Sequence, residues 1–326
     1  MHIPDGFLDA RTATVSAGLA AAGVAVALRS VRRSADARRV PLIGLAAAFV
    51  FAAQMLNFPV AGGTSGHLIG AVLVAVLLGP SAAVLAMTAV LVVQCFMFAD
   101  GGVTALGANV FNMAVVAPGV GYAIYALVRW AAGDSLRSRL LATAFAAWCS
   151  TVAAAIVCAG QLALAGAAAW GVAFPAMAGI HLLIGFGEAV ITTLVVAAVA
   201  RARPELVDSG REQTGPVRHA ALTAYGLLVA LGLAIFVAPF ACRWPDGLEK
   251  VAATLGFGQR AAAGPVLPAP LTDYRIPGFK SAVASTTVAG GVGILVVFGL
   301  AYLLARALTP AIAAAPRRPK GTSTGA

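Results

Sequence analysis

The chain has 326 residues, of which 60% are hydrophobic and only 10% charged, and its net charge is +10. This composition excludes an ordinary water-soluble domain. Apolar runs near 20 residues recur along the whole length, and each is long enough to cross about 30 Å of hydrocarbon. The basic residues lie between these runs, which predicts membrane lipid as the surroundings and argues against nucleic acid as a partner.

The first six residues, Met1-His2-Ile3-Pro4-Asp5-Gly6, contain a potential metal chelator ahead of the first apolar span. The α-amine of Met1, the backbone nitrogen of His2 and Nδ1 of its imidazole can close adjacent five- and six-membered rings on one ion. Nitrogen donors suit the later first-row divalent metals. The alternative is that His2 has no function and merely follows the initiator methionine.

The apolar pattern predicts an all-α, polytopic membrane helix bundle of about seven spans, followed by a two-span unit with a polar extracytoplasmic segment. Gly79-Pro80 is a helix-breaking pair beside the third span, which is short for a full crossing. Most of the 22 lysines and arginines fall on one side if the N-terminus is outside and the C-terminus is cytoplasmic. The predicted spans are 12–28, 41–58, 67–79, 81–98, 104–128, 140–165, 176–200, 220–240 and 282–305.

His67 ends a glycine-rich stretch, Gln54–His67, that the same topology places on the outer side with Met1 and His2. Its imidazole would supply a fourth nitrogen. A flat set of four nitrogens favours Ni(II) or Cu(II), and low-spin Co(II) is compatible with it. The alternative is that Thr64 or Ser65 caps a helix and that His67 lies in its first turn.

The opening motif and the Gln54–His67 stretch together resemble the CbiM/NikM family, the substrate-binding membrane subunits of energy-coupling factor importers for cobalt and nickel. The resemblance extends to about residue 205 and includes the stretches 100–102, 107–113 and 181–188. It implies a multi-pass protein of a prokaryotic plasma membrane whose ligands are the Met1 amine, both nitrogens of His2 named above, and His67. The ion would be transported cargo, and no prosthetic group is implied.

The resemblance also implies partners, namely a transmembrane coupling subunit and two cytoplasmic ATPases. The chain has no G-x-x-x-x-G-K-[ST] phosphate loop, so ATP hydrolysis is expected in those partners and no covalent chemistry in this chain. The sequence does not decide between cobalt and nickel, and we place cobalt first only by a slight margin.

Several polar residues near or inside the spans are supporting candidates, because an ionisable group within a membrane is a functional candidate. Polar groups also join neighbouring helices, so a structural role is the alternative. Two other protein classes stay open: a proton-coupled secondary transporter with His181 and Glu188 as a relay, and an intramembrane metalloenzyme with Glu188 as its base. The supporting candidates are Asn57, Asn109, Asn112, His181 and Glu188.

Composition changes after residue 200, where a charged stretch rich in proline and glycine follows. We therefore predict a metal-binding membrane domain at 1–205, a cytoplasmic linker at 206–219, a second unit at 220–310 and a disordered tail at 311–326. Pro-Asp-Gly-Leu-Glu at 245–249 resembles the PDGLE domain, and the two-span layout resembles the accessory subunit CbiN/NikN. We expect Asp246, Glu249 and Asp273 to be solvated loop charges, with a transient attraction for metal ions as the alternative.

Overall fold

The computed structural model describes residues 1–34, 39–207 and 219–309. The predicted linker lies outside these ranges except at its ends, and the predicted tail lies wholly outside them. Within the described residues, seven helices are long and apolar enough to cross a membrane. The prediction of an all-α, polytopic bundle is therefore confirmed.

Eleven α-helices follow one another along the described chain, and π-helical turns extend two of them. One π-helical turn, Gln94–Phe98, continues α4, and another, Val110–Val116, joins α5 to α6. The helices are α1 Ala10–Ser34, α2 Val40–Gln54, α3 Ala71–Leu78, α4 Pro80–Val93, α5 Leu106–Asn109, α6 Ala117–Ala132, α7 Leu136–Leu164, α8 Trp170–Ala202, α9 His219–Phe236, α10 Gly247–Leu255 and α11 Ala282–Leu308.

Two of the nine predicted spans form shorter helices than expected. The second ends at Gln54 instead of residue 58, and the third is a helix of only 8 residues, α3. Two glycines bracket α3: Gly70 has a φ of 77° and Gly79 a φ of 92°, values that residues with a Cβ rarely adopt. The chain thus turns sharply on both sides of α3, and His67 lies just before the first of these turns.

The stretch between α2 and α3 contains a short antiparallel hairpin of β1 Phe58–Val60 and β2 Thr64–Gly66. Gly62 and Gly63 form its turn, both with positive φ. Thr64 and Ser65 lie in β2, so the alternative that one of them caps a helix is wrong. Their hydroxyls donate instead to backbone carbonyls at residues 244 and 245.

The two C-terminal spanning helices pack directly on the first part of the chain. α9 and α11 both contact α2, and α11 also contacts α4. A Cβ added at Gly293 of α11 would lie 2.3 Å from the ring of Phe51, so the glycine is needed for this close approach. Phe51 is fully buried and belongs to one hydrophobic core that includes residues of α9 and α11.

The segment between α9 and α11, residues 237–281, covers the N-terminus of the chain. The Ala262 amide donates to the carbonyl of Asp5 at 2.9 Å, and the Leu271 amide donates to the carbonyl of Met97 at 2.9 Å. The Ser65 amide donates to the carbonyl of Pro245 at 2.8 Å. The outer segment therefore joins the chain start, the end of α4 and the hairpin.

Candidate metal site

Hydrogen bonds to Ile3, two of them with Asn109, hold the N-terminal residues inside the protein. Asn109 accepts a hydrogen bond from the Ile3 amide at 2.8 Å and donates to the Ile3 carbonyl at 3.1 Å. Gly102 donates to the same carbonyl at 2.9 Å. Ile3 is fully buried, and Met1 is only 4% exposed. The chain start is therefore a fixed, interior element of the fold.

The α-amine of Met1 lies between a histidine and a carboxylate that are distant in sequence. It is 2.9 Å from Nε2 of His67 and donates to Oδ2 of Asp246 at 2.6 Å. Burial alone would raise the pKa of Asp246, but the positive amine and its hydrogen bond hold that pKa well below its usual range. Asp246 is therefore a half-buried counter-ion of the amine, and the expectation that it is a solvated loop charge is wrong.

Local helix geometry fixes the position of Asp246. Its Oδ1 accepts from the Glu249 amide at 2.8 Å, and the Glu249 side chain accepts from the Asp246 amide at 3.0 Å. This reciprocal pair is a capping box at the start of α10. One carboxylate oxygen of Asp246 thus caps α10, and the other accepts from the amine of Met1.

His67 has one ring nitrogen committed to the backbone and the other directed at Met1. Nδ1 lies 3.1 Å from the Leu68 carbonyl, which can only accept, so Nδ1 carries the hydrogen and Nε2 keeps its lone pair. Burial lowers the pKa of His67 to about 3, and the neighbouring amine of Met1 acts in the same direction. The imidazole is therefore neutral and available to a metal through Nε2.

His2 stacks on His67, with ring centroids 5.3 Å apart and planes inclined by 24°. Its Nε2 is 3.2 Å from Oε1 of Gln94, and its Nδ1 is 3.2 Å from Oδ1 of Asp100. Burial lowers the pKa of His2, against the opposing charge of Asp100. Both imidazoles and the amine consequently lie in one buried cluster of nitrogens.

Glu188 positions the loop that carries His67. Its two carboxylate oxygens accept from the amides of Ile69 at 2.5 Å and Gly70 at 2.9 Å. His181, two turns earlier on α8, donates from Nδ1 to the Met177 carbonyl at 2.8 Å. Both side chains are buried, and their partners are backbone groups that hold local structure.

His181 also lines a small cavity that reaches the amine of Met1, His67 and Asp246. Gly247 also lines this cavity. An added Cβ there would lie 2.8 Å from Cε1 of His181, so the glycine allows the close approach of the two residues. The C-terminal unit therefore contributes Asp246 and Gly247 to the wall of the site.

The other two supporting candidates lie apart from this cluster. Asn112 exchanges two hydrogen bonds with Gln161, at 2.7 and 3.0 Å, and so joins two helices. Asn57 contacts the C-terminal unit through its backbone carbonyl, which accepts from the Cys242 amide at 2.9 Å. Of the five supporting candidates, His181 lines the cavity beside the cluster, whereas Asn109 holds Ile3 and Glu188 holds the loop that follows His67.

Sequence reasoning missed three contributors, namely Gln94, Asp100 as a partner of His2, and Tyr274. Tyr274 donates to Oδ2 of Asp100 at 2.6 Å, from 174 positions away. Gln94 is fully buried at the end of an apolar span, and a lone amide in such a span could have identified it. No local pattern could have identified Tyr274.

Among the residues that the structure describes, no three His, Cys, Asp or Glu side chains form a metal cage. The cluster instead brings together the Met1 amine and two imidazoles, and the 2.9 Å between that amine and Nε2 of His67 is a hydrogen-bond distance.

Comparison with known sequences identifies the family. The profile of CbiM, the cobalt uptake substrate-specific transmembrane region, matches residues 2–206, and that of the PDGLE domain matches residues 220–310. The chain belongs to the CbiM family. It is a multi-pass membrane protein, and its relatives bear the names of transport proteins rather than enzymes.

Two relatives of this CbiM chain illustrate the match. A protein of Archaeoglobus fulgidus, named as a candidate fused nickel transport protein NikMN, is 38% identical over 94% of this chain and 98% of its own. The fused nickel transport protein NikMN of Rhodobacter capsulatus is 40% identical over 71% of each chain. A solved structure, described as a transition metal transporter, is 38% identical with a TM-score of 0.58; the match covers 66% of this chain and 100% of that one.

Proposed function

We propose that this chain is the metal-binding membrane subunit of an ATP-driven energy-coupling factor importer for nickel or cobalt ions. The observation that carries the proposal is the buried contact of 2.9 Å between the Met1 amine and Nε2 of His67, with His2 stacked beside them. These groups belong to two segments far apart in sequence. Their convergence on one point is what a chelating site for a transition metal requires.

The proposed ligands are four nitrogens in one plane. They are the Met1 amine, the His2 backbone nitrogen, Nδ1 of His2 and Nε2 of His67. The backbone nitrogen and the amine each lose a proton when they bind, so two protons leave as one dication enters. The total charge that Asp100 and Asp246 face is then the same before and after loading, so neither carboxylate loses its neutralising partner.

Nickel is the first choice of cargo. Relatives that span both units of this chain are named as nickel transport proteins, whereas those named as cobalt transport proteins match 64% of it or less. A flat nitrogen set also suits Ni(II). This reverses the slight preference for cobalt drawn from the sequence.

Transport against a gradient needs an energy source, and we assign it to a transmembrane coupling subunit and two cytoplasmic ATPases. In this proposal the N-terminus and the site face outward, and the C-terminus is cytoplasmic. Residues 1–205 form the metal-binding domain, 206–219 a cytoplasmic linker, 220–310 a fused accessory unit of the CbiN/NikN kind, and 311–326 a C-terminal tail that lies outside the described residues. The accessory unit completes the site through Asp246.

Metal uptake in cells that produce the chain with its coupling subunit and ATPases tests this proposal. We expect nickel accumulation that stops when the ATPases carry an inactivating change in their nucleotide site. Titration calorimetry of the purified chain with Ni(II) and Co(II) should show one tight site. Uptake that continues without active ATPases would instead support a proton-coupled secondary transporter.

A further inference from the structure

A chain of side-chain amides connects the two segments that carry the proposed ligands. Nε2 of Gln54 donates to the Ile69 carbonyl at 2.8 Å, two residues beyond His67. Nε2 of Gln94 donates to Oε1 of Gln54 at 2.8 Å. Oε1 of Gln94 then lies 3.2 Å from Nε2 of His2. Both glutamines are buried, at 4% and 0% exposure.

The direction of this amide chain follows from its first member. A backbone carbonyl can only accept, so Gln54 must present its NH₂ to Ile69 and its oxygen to Gln94. Gln94 must therefore present its NH₂ to Gln54, which leaves its own oxygen for His2. An oxygen of an amide can only accept, so the contact with Gln94 is a hydrogen bond only when Nε2 of His2 carries the hydrogen.

When the hydrogen is on Nε2, Nδ1 of His2 keeps its lone pair. Nδ1 is the nitrogen that can close a six-membered ring with the backbone nitrogen of the same residue, so it is the one that the proposed chelate requires. Asp100 opposes the arrangement, because its Oδ1 lies 3.2 Å from Nδ1 and would accept a hydrogen there. A neutral imidazole has one hydrogen, and the two acceptors compete for it.

Tyr274 of the C-terminal unit makes Asp100 a weaker acceptor for the hydrogen of His2. Its hydroxyl donates to Oδ2 of Asp100 at 2.6 Å and accepts from Nε2 of Gln94 at 3.4 Å. Its ring is held against Phe98, with centroids 4.6 Å apart and planes inclined by 20°. Every donor of the Gln94 amide is thus used, and its oxygen has no other role than to accept from His2.

We propose that Gln54 and Gln94 are positioning residues that hold His2 in the Nε2–H tautomer, so that Nδ1 faces the incoming metal ion. The Ile69 carbonyl sets the direction, and the same loop presents His67 through Nε2. One loop therefore fixes which nitrogen each histidine offers. This inference rests on the proposed function, because it assumes that Nδ1 of His2 is a metal ligand.

The first measurement is Ni(II) affinity of full-length variants by titration calorimetry. Gln94→Met removes the acceptor for His2, and Gln54→Met removes the anchor of the amide chain without removing a group that contacts His2. Loss of such an outer partner lowers metal affinity about 10- to 100-fold. Gln161→Met is the matched control, because Gln161 is also a buried glutamine paired with an amide, in its case Asn112. We expect the affinity of this control to equal that of the wild type.

The second measurement reads the tautomer directly. The chain has 4 histidines, so ¹⁵N-labelled histidine gives few ring signals, and the His2→Ala variant assigns those of His2. In the metal-free wild type we expect the hydrogen on Nε2. In Gln94→Met we expect it to move toward Nδ1, where Asp100 accepts it. A purely structural role for Gln94 would leave the tautomer of His2 unchanged.

The outcomes separate this inference from the proposed function. A wild-type chain that binds no metal contradicts the proposed function, whatever the tautomer. If the wild type binds metal tightly and Gln94→Met binds it equally well, the proposed role of the glutamines is overturned and the proposed function is not. The same holds if the tautomer of His2 is unchanged in Gln94→Met. An equal loss of affinity in Gln161→Met also overturns it, because the effect would then follow from fold stability.

Discussion

The amine of Met1 and the imidazole of His67 are 2.9 Å apart although 66 positions separate them in the sequence. The hairpin and the turn at Gly70 bring His67 to the chain start, and Asn109 holds the chain start in place. The site is thus built from segments that lie far apart in the sequence.

The two histidines should dominate metal binding. His2→Ala and His67→Ala each remove one of four nitrogens, and we expect each to abolish high-affinity binding of Ni(II) and Co(II) in titration calorimetry. His181→Ala is the matched control: it removes a buried imidazole from the wall of the same cavity, and we expect it to keep most of the affinity. Unchanged affinity in His2→Ala or in His67→Ala would contradict the proposed ligand set.

Glu188→Gln should lower the metal affinity to a value between those of the wild type and His67→Ala. Glutamine keeps one acceptor oxygen where the carboxylate has two, so one of the amides of Ile69 and Gly70 loses its partner. An unsatisfied buried amide costs about 1–3 kcal/mol, and the His67 loop should loosen accordingly. We expect weaker metal binding than in the wild type but stronger than in His67→Ala. Affinity as low as that of His67→Ala would indicate that Glu188 is itself a ligand.

Asn109→Ala should lower both stability and affinity. It leaves the buried amide of Ile3 without an acceptor, at a cost of about 1–3 kcal/mol. The free chain start then loses its position next to His67. Asn112→Ala is the control, because it breaks the buried pair with Gln161 and should lower the melting temperature without lowering Ni(II) affinity. Equal affinity losses in both variants would show that Asn109 contributes only to the fold.

Metal binding should release two protons. Burial lowers the pKa of both His2 and His67, the latter to about 3, so neither imidazole holds a competing proton near neutral pH. Unperturbed imidazoles would instead protonate below about pH 6.5 and weaken metal binding there. Affinity should still fall as pH falls, because the amine and the amide nitrogen must lose protons to bind. Calorimetry in buffers of different ionisation enthalpy counts the protons, and a count of four would contradict the neutral imidazoles.

The C-terminal unit should matter for transport. Its outer segment contacts the amine of Met1 through Asp246 and the partner of His2 through Tyr274. A chain that ends at residue 207 should still bind metal, more weakly, and should import it more slowly when the partners are present. Tyr274→Phe in the full chain removes only the hydroxyl and should reproduce part of the affinity loss. Import at the full rate by the shortened chain would exclude an accessory role.

Sequence reasoning identified the elements with a local signal and missed those created by folding. The long apolar helices follow from composition, the motifs single out the chain start and His67, which lie in contact, and Asn109 stands out as a polar residue within a span. The 8-residue length of α3 depends on the positive φ of Gly70 and Gly79, which apolar periodicity does not report. The pair of Met1 with Asp246 joins residues 245 positions apart, and no spacing rule reaches that far.

The most direct test of the account is the metal content of chains tagged at opposite ends and purified in parallel. The amine of Met1 is buried and contacts both His67 and Asp246, so a residue added before Met1 would turn the donor into an amide and would have no space. We predict that a C-terminal tag leaves stoichiometric nickel after loading, and that an N-terminal extension or acetylation eliminates it although every side chain is intact. Equal nickel in both preparations would contradict the amine as a ligand and, with it, the proposed site.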